Sequence, residues 1–493
     1  SDWYGLHSTV EGANAGLDLE MPGPTLFRGQ KLIDAVNNGE VSTDVIRDRA
    51  RNVLNLMERT GALDTPPGPE VTRDDEQDLA TLRRVSSAGM VLLQNTDNVL
   101  PLSAGALKSV AVLGPNAATA TVMGGGSAHV TPTRVSHPLD ALVNRLQPLG
   151  IEVQHSAGCN INKKLPELDV RNLRDVRMDY FNDVEQMDNP SAVPDLAGTT
   201  GVFRLLWTGD PLGRREPNIS FGARMSTVFT PHVSGDWSFS IESVAATRII
   251  IDGVTVLDNA DVPAGGSFFG MGKPETIIKI ALEAEREYSF VVEVRHTPIG
   301  SALSGLTIGA MGPIDCDQLG EAIDLAAKCD VSIVVVGTND DWESEGWDRD
   351  DIDLPGKQDI LIHEVAKVSK RTIVVINAGS PVAMPWLNDV DAVVFTWFAG
   401  QEMGDALVDL LMGDVEPSGR LPVTMPRRME DTPAAEHHPG RNGAAKYLEG
   451  RLIGYRWYDT IGREPQFPFG FGLGYAHVEI SDAATSGTHM VNT

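Results

Sequence analysis

The sequence predicts an α/β protein whose mostly parallel sheet is interrupted by an all-β block, and three observations carry that prediction. Four continuous apolar runs, VAVLGP at 110–115, VSIVVVGT at 331–338, TIVVINAG at 372–379 and AVVFTWFAG at 392–400, each have a helix-patterned segment beside them. Continuous apolar strands alternating with helices build a parallel sheet covered on both faces. Between the first run and the other three, residues 168–312 carry short alternating segments such as DWSFSIES, TRIIIDG and REYSFVVEVRH, separated by Gly, Asp and Pro turns. That grammar belongs to an antiparallel sandwich. The length, 493 residues, exceeds what one hydrophobic core organises, so two or three domains are expected.

Taken in order, residues 1–65 hold a short loop segment, the run AGLDLEMPGP at 15–24, and a helical stretch at 44–59 with apolar Val45, Ile46, Val53, Leu54 and Met57. This reads as the end of something larger. Residues 66–105 open on a Pro-rich break and continue as a charged helix from 73 to about 88, and are expected to be linker and helix. The α/β sandwich is then expected over 106–165 and 313–480, with the all-β sandwich inserted at 166–312. Residues 481–493, ending in SGTHMVNT, read as a tail or linker. The first residue is Ser and no signal-like segment precedes it, so a processed, split or truncated chain is expected.

Composition narrows the function classes. With 40 Lys and Arg against 68 Asp and Glu, the formal charge is −28, which repels nucleic acid and anionic lipid and suits a neutral or cationic ligand. A solvated acidic surface explains the same number without any ligand. No apolar run reaches the roughly 18–20 residues of a bilayer span, so no membrane association is expected. Three scattered cysteines, Cys159, Cys316 and Cys329, show no metal spacing, and GGGSA at 124–128 lacks the Lys and Ser or Thr of a phosphate-binding loop. Neither a metal nor a cofactor is expected. Localisation stays open between extracellular and cytoplasmic.

Two clusters point to chemistry. At the start, Asp2 stands beside Trp3, and a carboxylate next to an exposed ring suits attack on a sugar while the ring packs on its apolar face. An acidic loop residue of no consequence reads the same way. The second cluster, residues 337–358 (GTNDDWESEGWDRDDIDLPGKQ), begins where an apolar strand ends, the position at which open α/β sheets bind ligands. Its crowded carboxylates, flanked by Trp342 and Trp347, suit a general acid whose pKa is raised by its neighbours. A turn of solvated acids capping the next helix is the alternative.

Five segments in order, SDW with AGLDLEMPG, SSAGMVLLQNTDNVLPL at 86–102, WESEGWDRDDIDLPG, QEMGDALVDLLMGDVEPSGRLPVTMP, and PFGFGLGY at 468–475, resemble the β-glucosidases of glycoside hydrolase family 3. The block at 166–312 is similar to the protective-antigen-like (PA14-type) sandwich that some members carry. The resemblance implies a retaining exo-β-glucosidase that releases terminal β-linked glucose from a β-glucoside or small oligosaccharide. It assigns Asp2 as nucleophile and Glu345 as general acid and base, with Glu343 as second choice, and makes Trp3 a wall of the sugar site. Phe268 and Phe269, in the Gly-rich loop at 264–273, are candidates to limit substrate length; partly buried loop aromatics are the alternative. Arg349 and Asp348 shape the acid loop.

By the same resemblance, residues 1–65 are the C-terminal end of a TIM-like (β/α) barrel whose remainder lies outside this sequence. The chain is then expected to work with an N-terminal barrel polypeptide, or to be a piece of a longer chain that carries the barrel, because part of a barrel leaves open strand edges. β-Xylosidase or arabinofuranosidase activity in the same family, and a non-catalytic carbohydrate-binding or assembly subunit, are the competing readings. Homo-oligomerisation is left open.

Overall fold

The computed structural model describes residues 1–23, 25–66, 68, 71–189, 191–207, 210–214, 220–265, 268, 271–297, 304–313, 317–346, 348–476, 484–486 and 489–491. The chain divides into two compact units, Ser1–Thr72 with Leu165–Pro313, and Arg73–Lys164 with Ile314–Thr493.

The second unit is a mixed α/β fold built on a six-stranded sheet. Its strands run, edge to edge, Val91–Asn95, Ala392–Phe395, Thr372–Asn377, Val331–Gly337, Ser109–Leu113 and Glu152–Ser156. All neighbours are parallel except Val91–Asn95, which pairs antiparallel with Ala392–Phe395. Side chains alternate strictly between two cores, as the two-residue period of a strand demands. Val110, Val112, Ile333, Val335, Ile373, Val375 and Val394 enter one core, with the helices Pro138–Leu146 and Met403–Met412. Ala111, Leu113, Val334, Val336, Val374, Ile376 and Phe395 enter the other, with Gln318–Lys328 and Gln358–Val368. Burial on both faces is why these strands read as unbroken apolar runs.

Two details differ from the sequence-based expectation. The stretch expected as linker and helix does hold a helix, Glu76–Gly89, capped by the Asp75 side chain on Asp78 N–H at 2.8 Å. It also supplies the edge strand Val91–Asn95, so it belongs to the sheet. At the C-terminal end, Ala484–Ser486 and His489–Val491 form a short antiparallel pair.

Chain order along the sheet locates the candidate site. From Ser109–Leu113 the chain moves outward to Glu152–Ser156, then returns to the opposite side of Ser109–Leu113 as Val331–Gly337. The strands Ser109–Leu113 and Val331–Gly337 therefore flank a topological switch point, the place at which open α/β sheets bind ligands. Those loops are residues 114–137 and 338–357.

In the first unit, residues 165–313 form two antiparallel sheets. One has the order Val254–Asp258, Ala246–Ile251, Tyr288–His296, Phe221–Phe229, Leu173–Phe181 and Leu196–Gly198; the other runs Lys273–Leu282, Gly235–Ser243, Ser304–Met311 and Arg204–Trp207. Both contribute to one aromatic-rich core that includes Phe229, Trp237, Phe239, Phe290 and Ile308, with Phe229 and Trp237 edge to face at 5.1 Å. The N-terminal segment carries three helices, Val10–Asn14, Gln30–Asn37 and Thr43–Arg59, around a small cluster of Ala13, Ala35 and Val41. Ser42 caps the third helix through Val45 N–H at 3.2 Å.

Candidate active site

The acid loop begins where the fully buried strand Val331–Gly337 ends, and it is fastened at its base. Buried Gln358 accepts from Gly337 N–H and donates to the Gly337 carbonyl, both at 2.8 Å, and donates again to the Pro355 carbonyl at 2.9 Å. A single side chain thus closes the loop onto the strand it left. Beside it, Asn116 donates to the Thr338 carbonyl at 3.0 Å and to Asn377 Oδ1 at 3.1 Å. Asn377 in turn donates to the carbonyls of Thr121 and Trp397 at 2.8 and 2.7 Å. These two asparagines tie together the carboxyl ends of four strands and the loops that leave them.

Midway along the loop, Trp342 donates its indole N–H to the Ile161 carbonyl at 2.6 Å, with the Lys163 ammonium 3.9 Å from its ring centre. Glu343 points inward. It accepts from the Thr338 hydroxyl at 2.6 Å and Gly379 N–H at 3.1 Å, with the Arg349 guanidinium 3.9 Å away. Glu343 and Arg349 keep only 13% and 11% of their side-chain surface exposed, so this carboxylate is committed to bracing the loop. Gly379 is required there, because an added Cβ would lie 2.7 Å from Glu343 Oε2 and 2.8 Å from the Phe398 ring. Arg349 also donates to the Asp353 carbonyl at 2.7 Å, and burial lowers its pKa from the usual guanidinium value.

Glu345 lies two residues on and is exposed. Its neighbours come from the Gly-rich run at 124–127, which sequence reading had only excluded as a phosphate loop. Gly125 N–H donates to the Glu343 carbonyl at 3.0 Å, Glu345 N–H to the Gly125 carbonyl at 3.4 Å, and Gly125 and Ser344 form a parallel bridge. Gly126 adopts φ +77°, and a Cβ there would sit 2.5 Å from the Glu345 Cβ. The next residue, Ser127, donates both its N–H, at 2.8 Å, and its hydroxyl to Glu345 Oε2. No signal in the local sequence announced this partnership, which spans 218 residues.

That pairing corrects an expectation. The crowded carboxylates were expected to raise the pKa of the candidate acid; instead the two Ser127 bonds hold Glu345 below the ordinary glutamate value. Hydrogen bonds to a carboxylate favour its charged form, and three other acids of the loop have partners of their own. Glu343 faces the interior, Asp341 accepts from the N–H groups of Lys163 and Lys164 at 3.2 and 3.3 Å, and Asp348 lies 3.2 Å from the His438 imidazole.

In the first unit, the Asp2 carboxylate is exposed and accepts from Trp3 N–H at 2.7 Å. The segment carrying it is stitched to the AGLDLEMPGP run through Tyr4 N–H on the Met21 carbonyl at 3.1 Å and Met21 N–H on the Ser1 hydroxyl at 3.0 Å. Trp3 is 59% exposed. Phe268 is half-buried, with its ring against the backbone of Gly305 in Ser304–Met311. Phe269 and Trp347 lie outside the described residues. A cavity of about 550 Å³ in the second unit is lined by Arg349, Ser380, Thr424, Tyr455 and Phe469, and neither Glu343 nor Glu345 contributes to it. Among the described residues, no helix is long and apolar enough to cross a membrane.

Residues 90–475 match the model of the glycosyl hydrolase family 3 C-terminal domain. A β-glucosidase from Rhizobium radiobacter is 39% identical over 499 residues, covering 99% of this chain and 60% of that protein. A probable β-glucosidase I from Aspergillus flavus is 34% identical, covering 99% and 59%. The crystal structure of a β-glucosidase from Kluyveromyces marxianus in complex with glucose superimposes with a TM-score of 0.89 at 31% identity, covering 99% of this chain and 60% of that one. The chain thus spans about three-fifths of the length of the relatives it matches. A domain match over most of the sequence, joined to the switch-point sheet and its carboxylate loop, makes this chain a member of glycosyl hydrolase family 3.

Proposed function

We propose that this chain supplies both catalytic carboxylates of a retaining β-glucosidase acting on terminal β-linked glucose, in an enzyme that extends to the relatives' full length and includes an N-terminal barrel portion. Asp2 is the nucleophile: its carboxylate attacks the anomeric carbon as the glycosidic C–O bond breaks, while Glu345 gives a proton to the departing oxygen. Water then releases glucose from Asp2, with the Glu345 carboxylate taking the proton from that water. Trp3 lines the glucose site, residues 1–65 close the barrel, and residues 166–312 form the protective-antigen-like sandwich, with the loop carrying Phe268 and Phe269 limiting substrate length.

One observation carries the assignment of the acid. Of the two glutamates in ESEG, Glu343 is occupied by Thr338, Gly379 and Arg349, whereas Glu345 is exposed and held by one oxygen only. The names of the relatives support the sugar. The resting carboxylate held by Ser127 suits the second half-reaction, in which Glu345 accepts a proton. For the first, the acid has to be protonated, and exclusion of water by bound substrate favours that neutral form.

The test is Glu345→Gln in the full-length enzyme, beside Glu343→Gln. Turnover of alkyl β-glucosides should fall by roughly 10²-fold or more, with dinitrophenyl β-glucoside much less affected in the first step. Loss of the same size on both substrates for Glu345→Gln, with a leaving-group-dependent loss for Glu343→Gln, would transfer the role to Glu343.

A further inference from the structure

We infer that Ser127 is a positioning residue for the acid: its two donors fix Glu345 Oε2, so that Oε1 is the oxygen that carries and delivers the catalytic proton. The inference rests on the glycosidase reading above and adds a residue to it that the family motifs did not supply.

Geometry carries the argument. A glutamate on an exposed loop has three rotatable side-chain bonds, and general acid catalysis needs its proton within hydrogen-bond reach of the leaving oxygen. Free rotation would spread that proton over many positions. Here the backbone N–H and the hydroxyl of one residue converge on one carboxylate oxygen, which leaves a single torsional setting. Among the described residues, Oε1 has no hydrogen-bond partner. A proton added to the carboxyl group therefore goes to Oε1, since Oε2 already accepts twice.

The support for Ser127 is itself fixed. Gly125 is sewn to Glu343 and Glu345 by backbone hydrogen bonds on both sides, and Gly126 turns through the left-handed region to present the Ser127 N–H. The Gly-rich run is thus a cradle for an acid rather than for a phosphate. The two loops leave strands on either side of the switch point, and the Gly125–Ser344 bridge keeps them in register. Several charged side chains of the two loops have other partners: Arg134 binds Glu402 at 2.8 Å, Arg349 donates to the Asp353 carbonyl, Asp341 accepts from the Lys163 N–H, and Asp348 faces His438. The remaining titratable groups are His129 and His137 on the cradle loop and Asp340, Asp350, Asp351, Asp353 and Lys357 on the acid loop. The Ser127 bonds alone account for the lowered Glu345 pKa.

Ser127→Ala and Ser127→Thr, made in the full-length enzyme, test this. Alanine should lower kcat/KM on alkyl β-glucosides roughly 10-fold, a fraction of the full contribution of a general acid, and leave the first step with dinitrophenyl β-glucoside within about 2-fold. Losing the hydroxyl should also move the alkaline limb of the kcat/KM profile to higher pH, because the charged form of the acid loses a donor. Threonine, which keeps the hydroxyl, should restore both. Equal losses on the two substrates, an unmoved alkaline limb, or a threonine variant no better than alanine would each overturn the role of Ser127. A separate result, Glu345→Gln without leaving-group dependence, would remove the acid itself, so the two failures are told apart.

Discussion

Replacing Gly126 by alanine probes the cradle where it is tightest. The new Cβ would sit 2.5 Å from the Glu345 Cβ, about 1 Å short of ordinary carbon contact at ~3.5–4.0 Å. Neither atom is at the end of a flexible side chain, so the backbone of one loop has to retreat by about that amount. Keeping φ at +77° with an L side chain costs a further 1–2 kcal/mol or so. A displacement of about 1 Å in a catalytic group lowers rate on the order of 100-fold. The strain itself is small against the stability of a chain of this length, and the melting temperature should fall by only a few degrees, roughly. The assay is kcat/KM on an alkyl and a dinitrophenyl β-glucoside in the full-length enzyme, with a melting curve as the fold control. Expected is a loss near 100-fold on the alkyl substrate, a smaller one on the activated substrate, and a largely intact melting transition. Alkyl-glucoside turnover within about 3-fold of the parent would refute the reasoning, since the acid would then be indifferent to the loop against which it packs.

Two other outcomes follow from the same structure. Asp2→Asn should lower turnover at least about 1,000-fold, as loss of a nucleophile does in other enzymes, and prevent the glycosyl-enzyme adduct that the parent should give with a slow substrate in mass spectrometry; an adduct formed by the variant would remove Asp2 from its role. Asp359, under Trp386 with the indole N–H donating at 2.8 Å, is pushed by burial from 3.8 up to about 6. The folded chain therefore holds a proton that the unfolded chain releases, so the stabilisation is complete below about pH 4 and is lost as pH rises through about 6. That rise is worth at most about 3 kcal/mol. Asp359→Asn keeps the acceptor for Trp386 and cannot ionise, so its melting temperature should fall less than the parent's between pH 4 and 7; parallel curves would count against the burial argument.

How much of this was legible depends on the range of the forces involved. Val331–Gly337 and Thr372–Asn377 announced themselves because burial on both faces leaves no polar position in most of the run. Val91–Asn95 was missed as a strand: it is five residues long, follows a helix after one residue, and its last two positions are only half-buried. Leu173–Phe181 was missed for a related reason, since Arg174, Asp175 and Arg177 interrupt its alternation. The loop carrying Glu343 and Glu345 was visible as a strand end rich in carboxylates. Which glutamate was braced and which was exposed was not visible, because Gly379 and Ser127 reach them from other loops. The direction of the Glu345 pKa was misjudged on the same ground. Charge density along a sequence says nothing about donors arriving from elsewhere in the fold.

The pair Asn116 and Asn377 bears on how this sheet tolerates change. Four carbonyl and amide contacts from two side chains join the mouths of separate loops, so lengthening or exchanging any one loop leaves the others moored as long as both amides remain. Specificity can then diversify at the loop tips while the rim beneath stays constant. A library aimed at new substrates would do well to randomise above this rim and leave both asparagines untouched.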